Sequence, residues 1–132
     1  MEKRNLGNTG TKVGALGIGA MSFSDFYGPT NTQESHAILK MALDNGIDHI
    51  DTAKVYGMGL SEERIGQFLN TLSPNDRQFF KIATKGGIDR KNFDDKGTVV
   101  FDNSKEFLTK ELNNSLKRLG VECVELYYVH RR

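Results

Sequence analysis

A single cysteine, Cys123, in 132 residues leaves no partner for an internal disulfide and suits a reducing compartment. It falls inside a strand candidate, where simple packing accounts for it. An excess of charge of one sign is also lacking: 18 basic residues against 17 acidic ones give a formal net charge of +1. That balance offers no general attraction to nucleic acid or to a membrane, and small molecules are the expected partners. No apolar run approaches the roughly 20 residues of a membrane helix. The opening Met1-Glu2-Lys3-Arg4-Asn5 runs into glycine and threonine instead of an apolar signal segment, so the expected setting is the cytoplasm. His36, His49 and His130 share no ligand spacing and Cys123 stands alone, so no metal site is expected. Gly14, Gly17 and Gly19 do not open a helix after a strand, which argues against a dinucleotide fingerprint.

What is present is an alternation of elements. Gly7-Asn8-Thr9-Gly10-Thr11 joins two short segments as a hairpin, since Asn and Gly tolerate positive φ. Val13 to Met21 reads as a glycine-bearing strand against which something approaches closely, a ligand for example. Asn31 and Glu34 form a capping-box pattern, followed by Ile38, Met41 and Ala42 at helical spacing and a stop at Gly46. After the strand Ile47 to Asp51, a second helix from about Ser61 shows Ile65, Phe68, Leu69 and Leu72 on one face, and Ser73-Pro74-Asn75-Asp76 stops it. The strand Phe79 to Lys85 then leads into a polar connection, Gly86 to Asp102, too long for an ordinary loop. Asn103 and Glu106 repeat the capping pattern ahead of Leu108, Leu112, Leu116 and Leu119, Gly120 ends that helix, and Cys123 to His130 is the last strand. The expected fold is α/β, a hairpin followed by β-α-β-α-β-α-β with parallel strands and right-handed crossovers, in one domain spanning residues 1–132.

Three of these strand candidates end on polar chemistry. Asp51 closes one and is followed five residues later by Tyr56; Lys85 and His130 close the next two. Strand side chains two apart share a face, so if these faces turn inward the polar groups converge on the rim where parallel α/β folds build their sites. An ammonium beside a phenol stabilises the phenolate, a carboxylate orients the ammonium, and a neutral imidazole N–H can hold a carbonyl oxygen nearby. Such a set suits protonation of an oxygen that is gaining negative charge. His49 reads instead as a satisfied core histidine and His36 as a solvated one. The basic residues of Asp89-Arg90-Lys91 and Lys117-Arg118 read as solvated faces.

The chain resembles the aldo-keto reductase superfamily. The resemblance is carried by Gly17-Ile18-Gly19-Ala20-Met21, by His49-Ile50-Asp51-Thr52-Ala53 with Tyr56-Gly57, and by Ser61-Glu62-Glu63. Ala83-Thr84-Lys85, Leu116-Lys117-Arg118-Leu119-Gly120 and Tyr127-Tyr128-Val129-His130-Arg131 complete it, in order, over essentially the whole chain. It implies a (β/α)8 TIM barrel that reduces aldehydes or ketones with NADPH. Tyr56 would be the general acid, Lys85 and Asp51 the pair that tunes it, and His130 the group that orients substrate. Gly19, Ala20, Met21 and Asp51 would border the cofactor, and Met21 and Val55 would touch substrate along with Tyr56 and His130. A closed barrel takes about 250 residues. The expectation here is therefore a partial barrel, strands one to four with three helices, without the later segments that hold most of the cofactor in the family. Two consequences follow: catalysis impaired in so short a chain, or a truncated, non-catalytic product acting through assembly, as the family's ion-channel regulatory subunits do. Open strand edges would favour self-association in either case.

Overall fold

Gly7 and Gly10 take φ of 59° and 80° in the first turn, and this reversal lets β1 (Lys3–Asn5) pair antiparallel with β2 (Lys12–Gly14) as expected. The computed structural model describes residues 1–93 and 99–131, with backbone only for residues 90–93 and 99. The hairpin is tied to the rest by Asp48, which pairs with the Lys3 ammonium and accepts the Gly14 N–H at 2.6 Å. Burial opposes charge on Asp48, but the Lys3 and Gly14 contacts outweigh it and hold the carboxyl below its usual range.

The main sheet contains β3 (Gly17–Gly19), β4 (His49–Asp51), β5 (Lys81–Gly86) and β8 (Leu126–Val129), parallel and in that order. Between them run α1 (Thr32–Asp44), α2 (Leu60–Asn70), the short α3 (Pro74–Phe79) and α4 (Lys105–Leu119). Alternation puts Ile50 and Ile82 on the face towards the helices, where they join Leu39, Ile65, Phe68, Leu69 and Leu119 in the core. At about 25 cal/mol per Å² of apolar surface removed from water, this face drives the fold. Ile65, Phe68 and Leu69 are buried as their spacing predicts, with Leu72 partly so.

Several elements differ from the sequence reading. The Val13 to Met21 segment is two strands, β2 and β3, followed by a short 3-10 helix, Ala20–Ser24. What approaches its glycines is protein: a Cβ on Gly14 would lie 3.0 Å from Asp48 Oδ1, and one on Gly17 3.0 Å from His49 Cδ2. The capping box of Asn31 and Glu34 forms, but α1 buries Ser35, Leu39 and Ala42 and leaves Ile38 and Met41 exposed. Ser35 can be buried because its hydroxyl donates to Asn31 O at 3.1 Å. His36 is not simply solvated, since its Nε2 lies 3.0 Å from Arg64 O and its ring lies against Phe68.

The Ser73–Asp76 stop also starts α3. Ser73 accepts from Asp76 N, and Pro74 occupies the first turn, where its missing N–H costs nothing, so Phe79 ends a helix instead of opening a strand. The supposed long loop after β5 contains a second hairpin, β6 (Ile88–Phe93) with β7 (Val99–Phe101); residues 94–98 of that stretch lie outside the described residues. Ser104, not Asn103, caps α4, accepting from Phe107 N at 3.2 Å, while the Asn103 amide donates to Arg131 O. This helix buries Glu111, Ser115 and Leu119, and Leu108, Leu112 and Leu116 are only half-buried. Arg118 is half-buried in an ion pair, so that basic position is no solvated face; the side chains of Arg90 and Lys91 lie outside the described set. Cys123 is exposed, not packed. Among the described residues no helix is long and apolar enough to cross a membrane.

Candidate functional site

Register decides which side chains meet. Gly19 pairs with Asp51, Asp51 with Ala83 and Ala83 with Leu126, while β5 and β8 run three residues further, to Gly86 and Val129, so Lys85, two residues past Ala83, lies on the same face as Ala83 and beyond the level of Asp51. Beyond β4 the backbone ladder continues, with Thr52 N donating to Ala83 O at 2.9 Å and Lys54 N to Lys85 O at 3.3 Å. The chain then turns into the 3-10 segment Tyr56–Gly59, where Gly57, Met58 and Gly59 have φ of 61°, 55° and 107°. This reversal of hand returns the loop over the strand ends and into α2.

Lys85 is the centre of the arrangement. Its ammonium donates to Asp51 Oδ1, to Thr52 O at 2.8 Å and to the Tyr56 hydroxyl at 3.3 Å, and lies 5.0 Å from the centre of the Tyr56 ring. Three donors thus find three oxygens, and the geometry leaves the ammonium fixed. His130 follows β8, held by its backbone N–H to Gly86 O at 2.8 Å, and its ring meets the Tyr56 ring edge-on with centres 6.0 Å apart. All four groups named from the sequence therefore gather at one rim. His49 faces the same interior from lower in β4, with Nδ1 3.1 Å from Lys81 O.

A cavity of about 610 Å³ opens above this cluster, and Tyr56, Val55, Met21 and His130 line it. Gly19 sits at the end of β3 with open space where a side chain would be. Ala20 is different: it is wholly buried, with its methyl group in the core and its carbonyl accepting the Ser61 hydroxyl. Phe26, Met58, Ile88 and Phe101 also line the cavity, and the sequence reading did not select them. Phe26 lies among turn residues, and Ile88 and Phe101 lie in the β6–β7 hairpin, where the sequence pattern predicts a loop. An apolar residue recurring in an otherwise polar connection was the signal available. Among the described residues no cluster could hold a metal ion.

The loop segments around the cavity are anchored from below. Arg64 donates to Phe23 O at 2.7 Å and to Thr30 O at 3.2 Å, which ties the segment bearing Phe26 to α2. Lys54 pairs with Glu111 at 2.8 Å, both nearly buried, and fastens the β4–α2 connection to α4. Such a pair sets a desolvation cost against close Coulombic contact, and losing one partner would leave the other charge buried and uncompensated.

Comparison with known proteins gives a consistent result. The Aldo/keto reductase family profile matches residues 15–132. The aldo-keto reductase yakc [NADP(+)] of Schizosaccharomyces pombe is 36% identical over 128 residues, covering 97% of this chain and 36% of the relative. The L-galactose dehydrogenase of Arabidopsis thaliana is 35% identical over 130 residues, covering 98% of this chain and 38% of the relative. Among solved structures, the holo form of an aldo-keto reductase from Bacillus halodurans superposes with a TM-score of 0.79 at 32% identity, over 96% of this chain and 39% of that one. The chain thus spans little more than a third of the length of these relatives, and its parallel sheet is a partial (β/α)8 barrel. On its sequence and its fold together, the chain belongs to the aldo/keto reductase family.

Proposed function

We propose that the protein of which this chain forms the sheet β3-β4-β5-β8 reduces small aldehydes or ketones with NADPH. The observation that carries the reading is the Lys85 ammonium held simultaneously against Asp51 and the Tyr56 hydroxyl. In this arrangement Tyr56 donates a proton to the carbonyl oxygen as negative charge grows there. Lys85 favours the resulting phenolate, and Asp51 keeps Lys85 in place. His130, edge-on to Tyr56, holds the same oxygen from the other side. Met21 and Val55 give the cavity an apolar wall against the rest of the substrate. The residues present fit the ring end of a nicotinamide cofactor: Gly19 leaves room for close approach beside Met21, and the partly exposed Asp51 carboxylate can accept from a sugar hydroxyl. When bound, such a cofactor supplies the hydride. The NADP(+) in the fission yeast relative's name supports this choice.

Tyr56→Phe tests the role. The expected result is a loss of about 10²- to 10⁴-fold in carbonyl reduction, followed as NADPH oxidation on the whole protein, with an unchanged melting temperature. An unchanged rate would refute it. A second reading, association without catalysis, rests on the sheet's edge strand β8, where Tyr128 and Val129 are 42% and 48% exposed. Titrating the chain with NADPH while following its oligomeric state separates the two: cofactor binding by a monomer favours catalysis, and a dimer indifferent to cofactor favours assembly.

A further inference from the structure

Behind the rim, on the helix-facing side of the sheet, lies a polar network that the reaction itself does not use. Thr52 and Thr84 directly adjoin Asp51 and Lys85 in sequence, and alternation turns them to the opposite face, where both are fully buried. Each hydroxyl is met by the first turn of α2. Thr52 Oγ1 lies 2.9 Å from Ser61 Oγ, which in turn donates to Ala20 O at 2.8 Å. Thr84 Oγ1 donates to Glu62 Oε1 at 2.6 Å. The other oxygen of Glu62, also fully buried, accepts from Arg118 Nε at 2.7 Å, and Arg118 reaches Ser115 as well.

A buried carboxylate is costly unless every oxygen is matched, so the first turn of α2 has one geometry that satisfies it. That geometry fixes Thr52, one step beyond β4, and Thr84, within β5, at once. Thr52 is the junction: its hydroxyl is held by Ser61 on one side of the sheet, and its carbonyl accepts from the Lys85 ammonium on the other. We infer that Ser61 and Glu62 are positioning residues, which clamp Thr52 and Thr84 from behind the sheet and thereby set the Asp51–Lys85–Tyr56 contact. Displacements on the order of 1 Å in such contacts can change rates by about 10²-fold, which gives a clamp remote from substrate a measurable consequence.

This inference rests on the proposed function for its catalytic meaning, but its test does not require turnover. The Lys85 ammonium is observed by nitrogen-15 NMR of the side-chain ammonium groups, assigned with Lys85→Met, and its hydrogen exchange is measured in the chain without cofactor. Thr84→Val removes only the hydroxyl that Glu62 receives, and Thr84→Ser keeps it. The expected result is exchange faster by about tenfold in Thr84→Val, the scale of one hydrogen bond, with native exchange in Thr84→Ser. Leu39→Ala, in the core of α1, should lower the melting temperature without moving Lys85 exchange. In the whole protein, Thr84→Val should lower kcat with KM retained. If Thr84→Val does not fold, Ser61→Ala reads the Thr52 arm in the same way. A folded Thr84→Val or Ser61→Ala chain with native Lys85 exchange would overturn the inference alone. A native chain whose Lys85 ammonium exchanges freely would overturn the contact beneath the proposed function, and the clamp with it.

Discussion

Asp51 and its two neighbours contrast the two faces of the sheet. Ile50 and Thr52 are wholly buried against the helices, whereas the Asp51 side chain between them keeps 44% of its surface. The contrast is weaker in β5, where Thr84 is closed off and the Lys85 side chain on the other face keeps 14% of its surface. One face carries the apolar burial that makes the fold stable; the other carries charge that contributes little to stability and is available to a ligand. Chemistry and stability are thus separated by a single step along the chain, and substitutions at neighbouring positions should fail in different ways.

The sharpest test is the adjacent pair. Ile50→Ala should cost about 2–5 kcal/mol in urea unfolding, while Asp51→Asn, which keeps an oxygen for the Lys85 ammonium, should cost less, about 1–2 kcal/mol. Equal costs would break the comparison. Gly66→Ala, on the buried side of α2, probes the helix layer: its new Cβ would lie 2.1 Å from Arg118 O, so α2 and α4 must move apart. A loss of about 1–3 kcal/mol is expected from such overpacking.

A third test uses pH. Burial, reinforced by the charges of Glu111 and Glu62 and partly offset by Arg118, pushes the Tyr127 hydroxyl from 10.0 up to about 12. The unfolded chain releases that proton first, so Tyr127's contribution is intact below pH 10 and is lost as pH rises towards 12. Tyr127→Phe should flatten the stability curve over that window. The smallest effect belongs to the exposed pair Lys40–Asp44, where Lys40→Ala should change stability by about 0.5 kcal/mol or less.

Much of this contrast was legible in the sequence. The Asn31–Glu34 box formed because both halves of a capping box are local, and Ile65, Phe68 and Leu69 were buried because large side chains at helical spacing leave one choice of face. The spacing of Asp51, Tyr56, Lys85 and His130 announced a shared rim because parity is rigid in strands. Other features depend on partners distant in sequence. Nothing near Ser35 announces that it, and not Ile38 or Met41, faces inward; only the position of the sheet decides that. A six-residue helix such as α3 has too few turns for a period to show, and its terminal Phe79 beside Phe80 looks like a strand. Asn103 and Ser104 are both good caps, and the choice between them was made by the Arg131 carbonyl 28 residues away. Glu62 was visible as part of Ser61-Glu62-Glu63, but its burial could be known only once Arg118 and Thr84 had been brought to it.

The run of reversed backbone hand after Tyr56 has an engineering consequence. Met58 is the one residue of the three with a side chain, and holding it left-handed costs about 1–2 kcal/mol that glycine would not incur. Met58→Gly should therefore relax a torsional spring and toughen the molecule, while stripping a thioether from the cavity wall. Resilience and grip would then trade against each other at a single codon, the place to begin retuning this pocket.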